Sequence, residues 1–193
     1  GDGTFTLLSN HELRSGTGIK RAHGSSGAFV SRWVIDKKTL QEISGQDFTR
    51  SASDVYLYDR AGRKYVQGTT VWDRLCSADL AAPSAYMSGG LGTSDRIFLN
   101  GDEINDGRAW AHIATGQYTG TSWELPRMGH SAFENLVACP HSGTRTIVMS
   151  MDDGNLATAP VAADNPSEVY CYIGQKQADG SPIDKAGLTN GKL

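Results

Sequence analysis

Short apolar runs rich in Val, Ile, Thr, Tyr and Phe recur along the chain between clusters of Gly, Asp, Asn and Ser, and helical periodicity is scarce. Runs of four to eight such residues bounded by turn formers read as β-strands. Residues 5–9, 28–35, 54–58, 96–100, 109–113, 146–150 and 168–173 fit that description. Only residues 72–80 read as a short helix. Asp36-Lys37-Lys38-Thr39 and Asp59-Arg60-Ala61-Gly62 carry hairpin-turn chemistry. Gly89-Gly90-Leu91-Gly92 lacks the Gly-Lys-Ser/Thr ending of a phosphate-binding loop and reads as a turn. Residues 157–166, small and with two prolines, read as a surface loop. The pattern predicts an all-β sandwich, barrel or propeller.

A weak internal repeat favours the propeller. Apolar strands run into acidic residues at a matching offset in Phe5-Thr6-Leu7-Leu8-Ser9-Asn10-His11-Glu12, in Arg96-Ile97-Phe98-Leu99-Asn100-Gly101-Asp102-Glu103 and in Thr146-Ile147-Val148-Met149-Ser150-Met151-Asp152-Asp153. The offsets, 91 residues from Glu12 to Glu103 and 50 from Glu103 to Asp153, match about two units and one unit of a blade-sized repeat. Equivalent strand ends of different blades meet at the mouth of a central channel, so Glu12, Glu103 and Asp152 or Asp153 are expected to converge. Carboxylates crowded together repel one another unless a cation sits among them, and calcium takes six to eight oxygen ligands of this kind. Ordinary acidic turns at strand ends are the alternative. Glu134, in Arg127-Met128-Gly129-His130-Ser131-Ala132-Phe133-Glu134-Asn135, is a fourth acid, with an arginine and a histidine nearby that suit an anionic substrate.

Composition narrows the function classes. At 193 residues the chain is long enough for one substantial core. With 18 basic and 21 acidic residues there is no basic excess to hold a phosphate backbone, so nucleic acid is not an expected partner. No apolar run reaches the roughly 20 residues of a membrane-crossing helix. The chain opens without Met and closes on a turn, so residues 1–193 are expected to form part of a single β-propeller domain, an incomplete portion with blades missing at one or both ends and an assembly partner that completes it. Cys76, Cys139 and Cys171 have no zinc-type spacing, allow at most one disulfide and read as small buried apolar residues. The four tryptophans read as core.

The words Ser9-Asn10-His11-Glu12-Leu13, Gly129-His130-Ser131-Ala132-Phe133-Glu134-Asn135, Met151-Asp152-Asp153-Gly154 and Val169-Tyr170-Cys171-Tyr172-Ile173-Gly174 together resemble, in that order, the PhoX-like family of secreted bacterial alkaline phosphatases and their relatives. The resemblance implies part of a large β-propeller, acting on phosphate esters in the periplasm or outside the cell. It also implies calcium and iron held by glutamates, an aspartate and a cysteine at the channel mouth. Residue by residue, it makes Glu12, Glu103, Glu134 and Asp152 metal ligands. The family's phosphatases show a Cys-Glu pair where this chain has Asp102-Glu103, which removes a thiolate at that position and favours calcium over iron. If the site is catalytic, Arg127 or Arg108 would clamp the phosphate and His11 or His130 would donate a proton to the leaving oxygen. Two functions stay open: a metal-dependent phosphoesterase, and a non-catalytic calcium-stabilised extracellular binding or structural module.

Overall fold

In a computed structural model, which describes residues 2–154 and 167–193, the chain is all-β apart from short turns of helix. The surface loop read at 157–166 lies outside the described residues. Three antiparallel strands open the chain: β1 (Thr4–His11), β2 (Phe29–Asp36) and β3 (Glu42–Asp47), in the order β1-β2-β3. The β2–β3 turn closes as its sequence predicts, with Asp36 Oδ1 accepting the backbone N–H groups of Lys38 and Thr39.

The remaining strands are β4 (Val55–Asp59), β5 (Lys64–Gln67), β6 (Asp79–Leu80), β7 (Met87–Ser88), β8 (Leu91–Gly92), β9 (Ile97–Gly101), β10 (Glu103–Ile113), β11 (Ser122–Glu124), β12 (His130–Ala138), β13 (Arg145–Asp152) and β14 (Val169–Gln175). All but β7 and β8, which make a separate hairpin, join one sheet. Its path is β14-β13-β12-β10-β11-β4-β5, with β9 on β10 and β6 on β9. Pairing is antiparallel except between β4 and β11. None of the three sheets closes on itself among the described residues.

All seven strands expected from the apolar runs are present. The expected helix at 72–80 is not: the segment is irregular and ends in β6. Its backbone groups are drawn outward to neighbours on both sides. Trp72 O accepts from Ala28 N–H, Arg74 N–H donates to Leu13 O, Arg74 O accepts from Glu103 N–H, and Ser77 N–H donates to Glu134 O. A helix would have to break each of these bonds. The segment thereby ties the end of β1 to β10 and β12.

Two cores support this arrangement. Phe48, Trp72, Leu75, Phe98 and Trp110 pack between the first sheet and the large one, and a second cluster around Ile97, Leu99, Phe133, Leu136, Val148 and Tyr172 fills the region under β9, β12 and β13. Trp72, Trp110 and Trp123 are core residues, and Trp33 is half-buried. The cysteines depart from expectation. All three are free thiols, Cys76 and Cys139 are half-buried, and Cys171 is exposed because it alternates outward on β14.

Candidate metal centre

The head of β10 sets the geometry. Asp102 N–H donates to Arg108 O, and Glu103 and Arg108 pair with Ala132 and His130 of β12 across a register shift. Residues 104–107 bulge out between these pairs. Gly107 makes the bulge feasible, since a Cβ there would sit 1.9 Å from Asp102 O and 2.5 Å from Ser131 O. Successive side chains of an extended strand point to opposite faces, so Asp102 and Glu103 diverge. Asp102, 2% exposed, accepts from the backbone N–H groups of Asp73 and Arg108 and from Trp110 Nε1–H, and forms an ion pair with the Arg108 guanidinium. Its role is structural. Arg108 is spent on it as well, with a further bond to Val71 O and a stack on Trp110.

Glu103 is also 2% exposed, and its Oε1 lies 2.6 Å from Arg74 Nη2. The same guanidinium nitrogen reaches Glu12 Oε1 at 2.8 Å. Glu103 Oε2 is buried and accepts no hydrogen bond from a nitrogen or oxygen among the described residues. Glu103 belongs to two overlapping sets of ligand atoms, those of each set within 4.8 Å of one another: Glu12, Cys76 and Glu103, and Glu103, Glu134 and Asp153. Burial and the neighbouring carboxylates Glu12 and Glu134 hold the Glu103 carboxyl above its usual range, although Cys76 and Arg74 oppose them. Burial, with Glu103 and Glu134 adjacent, pushes the Cys76 thiol up to about 12. Four carboxylates face a single guanidinium here, which leaves the group strongly anionic when ionised.

Cys76 was not expected at the site. The argument against a thiol rested on position 102, whereas the thiol arrives from the irregular segment after Trp72. A chain of side chains holds that segment. Asn10 Nδ2 donates to Cys76 O at 2.9 Å, and Asn100 Nδ2 donates to Asn10 Oδ1 at 2.8 Å. Asn100 Oδ1 must then accept from His112 Nε2–H, so His112 Nδ1 accepts from Ser122 Oγ, which in turn accepts from Thr49 Oγ1. His112 is fully buried and burial lowers its pKa to about 3.

Of the residues expected as ligands, Glu12, Glu103 and Glu134 come together. Asp152 is turned away from them, accepting from Ser131 Oγ and Ala132 N–H, and its neighbour Asp153 takes the place by the groups. None of the four residues expected to do chemistry joins these groups; Arg108 is held on Asp102. His11 stacks on Phe29 with ring centroids 3.9 Å apart and shares a hydrogen bond with Ser31 Oγ. Arg127 and His130 line a separate cavity. No family model, curated protein or solved structure matches the chain.

Proposed function

We propose that Glu12, Cys76, Glu103, Glu134 and Asp153 hold divalent metal ions, and that the chain is a portion of a PhoX-like β-propeller phosphoesterase located in the periplasm or outside the cell. The buried Oε2 of Glu103, which accepts no hydrogen bond from a nitrogen or oxygen among the described residues, carries the reading: a buried acceptor left unsatisfied costs about 1–3 kcal/mol. The donor chemistry fits two kinds of ion. Glu103, Glu134 and Asp153 offer only oxygen, which suits calcium, and Glu12, Cys76 and Glu103 add a thiol, which suits a softer ion such as iron or zinc. Cations in such a site neutralise phosphoryl oxygens and activate the ester as Lewis acids. The chain's own contribution is placement. Arg74 fixes the Oε1 atoms of Glu12 and Glu103, and the Asn10–Asn100–His112 chain fixes the backbone of Cys76.

One observation favours the second reading, a calcium-stabilised module without catalysis. His11, Arg127 and His130 all engage partners or surfaces away from the carboxylates, so the phosphate clamp and proton donor read from the sequence are not at the centre. Hydrolysis of p-nitrophenyl phosphate in calcium, alone and with iron(II) or manganese, separates the two. The phosphoesterase reading expects turnover that Glu103→Gln lowers by more than about 100-fold, the upper end for groups one shell beyond the ligands. No turnover above the metal-only background in any of these ions overturns it in favour of the structural role.

A further inference from the structure

A cavity of about 470 Å³ opens between the β4–β5 hairpin, the turn at Pro126–Met128 and the C-terminal segment. Small-molecule sites commonly enclose about 300–1,000 Å³. Its walls are chemically distinctive. Arg60, on the hairpin turn, and Arg127, on the turn anchored by the buried Met128, both line it, and no carboxylate does. Neither guanidinium forms an ion pair with an acid among the described residues.

Arg60 is nevertheless aimed. Its Nη2 donates to His130 Nε2 at 2.8 Å, and because arginine only donates, the proton of the neutral ring sits on Nδ1, which donates to Asp106 Oδ1 at 2.8 Å. The relay fixes one edge of the guanidinium, and the remaining N–H groups have no partner among the described residues.

The second wall is aromatic and rigid. Tyr58 and Tyr65 meet edge to face, with centroids 5.3 Å apart and planes at 67°. Tyr65 donates its hydroxyl to Glu124 O at 2.8 Å and packs against Trp123. Burial raises its pKa and keeps that ring uncharged.

We propose that this cavity binds a small aromatic oxyanion, with its ring against Tyr58 and Tyr65 and its phosphoryl or carboxylate group between Arg60 and Arg127. Two guanidiniums recognise either oxyanion by charge-assisted hydrogen bonds, and the tyrosine rings supply offset or edge contacts to the ligand ring. The site shares no residue with the metal-ligand groups, so it stands whether or not those groups hold metal.

Isothermal titration of the folded full chain with phenylphosphonate, benzoate, phenol and inorganic phosphate tests the assignment, the first two distinguishing a phosphoryl from a carboxylate ligand. Saturable binding of at least one aromatic anion is expected, about tenfold tighter than phenol or phosphate. Arg60→Gln and Arg127→Gln should each weaken it about tenfold, the scale of one charge-assisted contact. Both arginines are exposed, so an unchanged Tm is expected to show that the variants fold, and Arg127→Lys, which keeps the charge, should weaken binding less. Glu134→Gln should leave it unchanged. The proposal is overturned if neither aromatic anion saturates at millimolar concentration, if the arginine variants bind normally, or if binding is lost in Glu134→Gln.

Discussion

His112 shows how one buried residue ties stability to the candidate centre. It is a neutral link between Asn100 and Ser122, and protonation would turn its acceptor nitrogen into a second donor facing a hydroxyl that already donates to it. Burial brings its pKa down to about 3, and burial likewise brings His23, packed on Trp72, down to about 4, against 6.5 for an unconstrained imidazole. Between pH 6.5 and those values the unfolded chain binds protons that the folded chain refuses. Stability therefore holds above pH 6.5 and falls as pH drops below it, by about 1.4 kcal/mol per pH unit for each histidine fully engaged. Urea denaturation between pH 6.5 and 5 should show a slope about one proton steeper in the native sequence than in His112→Gln. An equal slope in both would contradict the assignment.

At the same scale, the acids at strand ends were readable because they recur at one offset from an apolar run. Cys76 was hidden because nothing in its local spacing marks it, and long-range bonds to Asn10, Leu13, Glu103 and Glu134 bring its segment in. Asp152 and Asp153 are indistinguishable by type. Neighbours on a strand face opposite ways, and the structure turns Asp152 to Ser131.

Among the elements, the bulge of β10 matters most to the centre, since it determines where Glu103 lies against β12. Gly107→Ala places a methyl group against Asp102 O and Ser131 O, and the bulge must open to admit it. A loss of about 1–3 kcal/mol, the usual cost of overpacking, is expected in chemical denaturation, with weaker metal binding alongside it. An unaffected metal affinity would show that the bulge does not position the site.

Strands with β-branched or aromatic runs were legible, and the less apolar ones were not. β3 exposes most of its residues and carries Gly45 against the Trp33 ring, β5 is a short edge, and β12 mixes His, Ser, Glu and Asn into its run. Their strand character comes from pairing with neighbours rather than from their own composition. Residues 72–80 misread for the same reason in reverse: a plausible helical composition is overridden by hydrogen bonds to four other segments.

Across the whole molecule, the candidate ligand groups draw on separate parts of the fold that the hydrogen bonds of residues 72–80 also tie together. Glu12 follows β1 of the small sheet, Cys76 lies on the connecting segment, and Glu103, Glu134 and Asp153 belong to or follow strands of the large sheet. A cation held by either group would bind the folded state alone. At a concentration of calcium about 100-fold above its dissociation constant, linkage adds about 2.7 kcal/mol, or roughly 5–10 °C in Tm for a domain of this size. Differential scanning calorimetry with and without calcium should show that rise, smaller in Glu134→Gln. The all-β class was legible from the turn and strand pattern, while the order of strands in the sheets depends on long-range pairing that local patterns do not encode.

The most direct test of the account is the metal content of the protein as isolated, measured by inductively coupled plasma mass spectrometry beside Glu103→Gln. The account predicts at least one tightly held divalent ion per chain in the native protein and its loss in the variant. A native protein free of bound metal, or equal metal in the two, would contradict it.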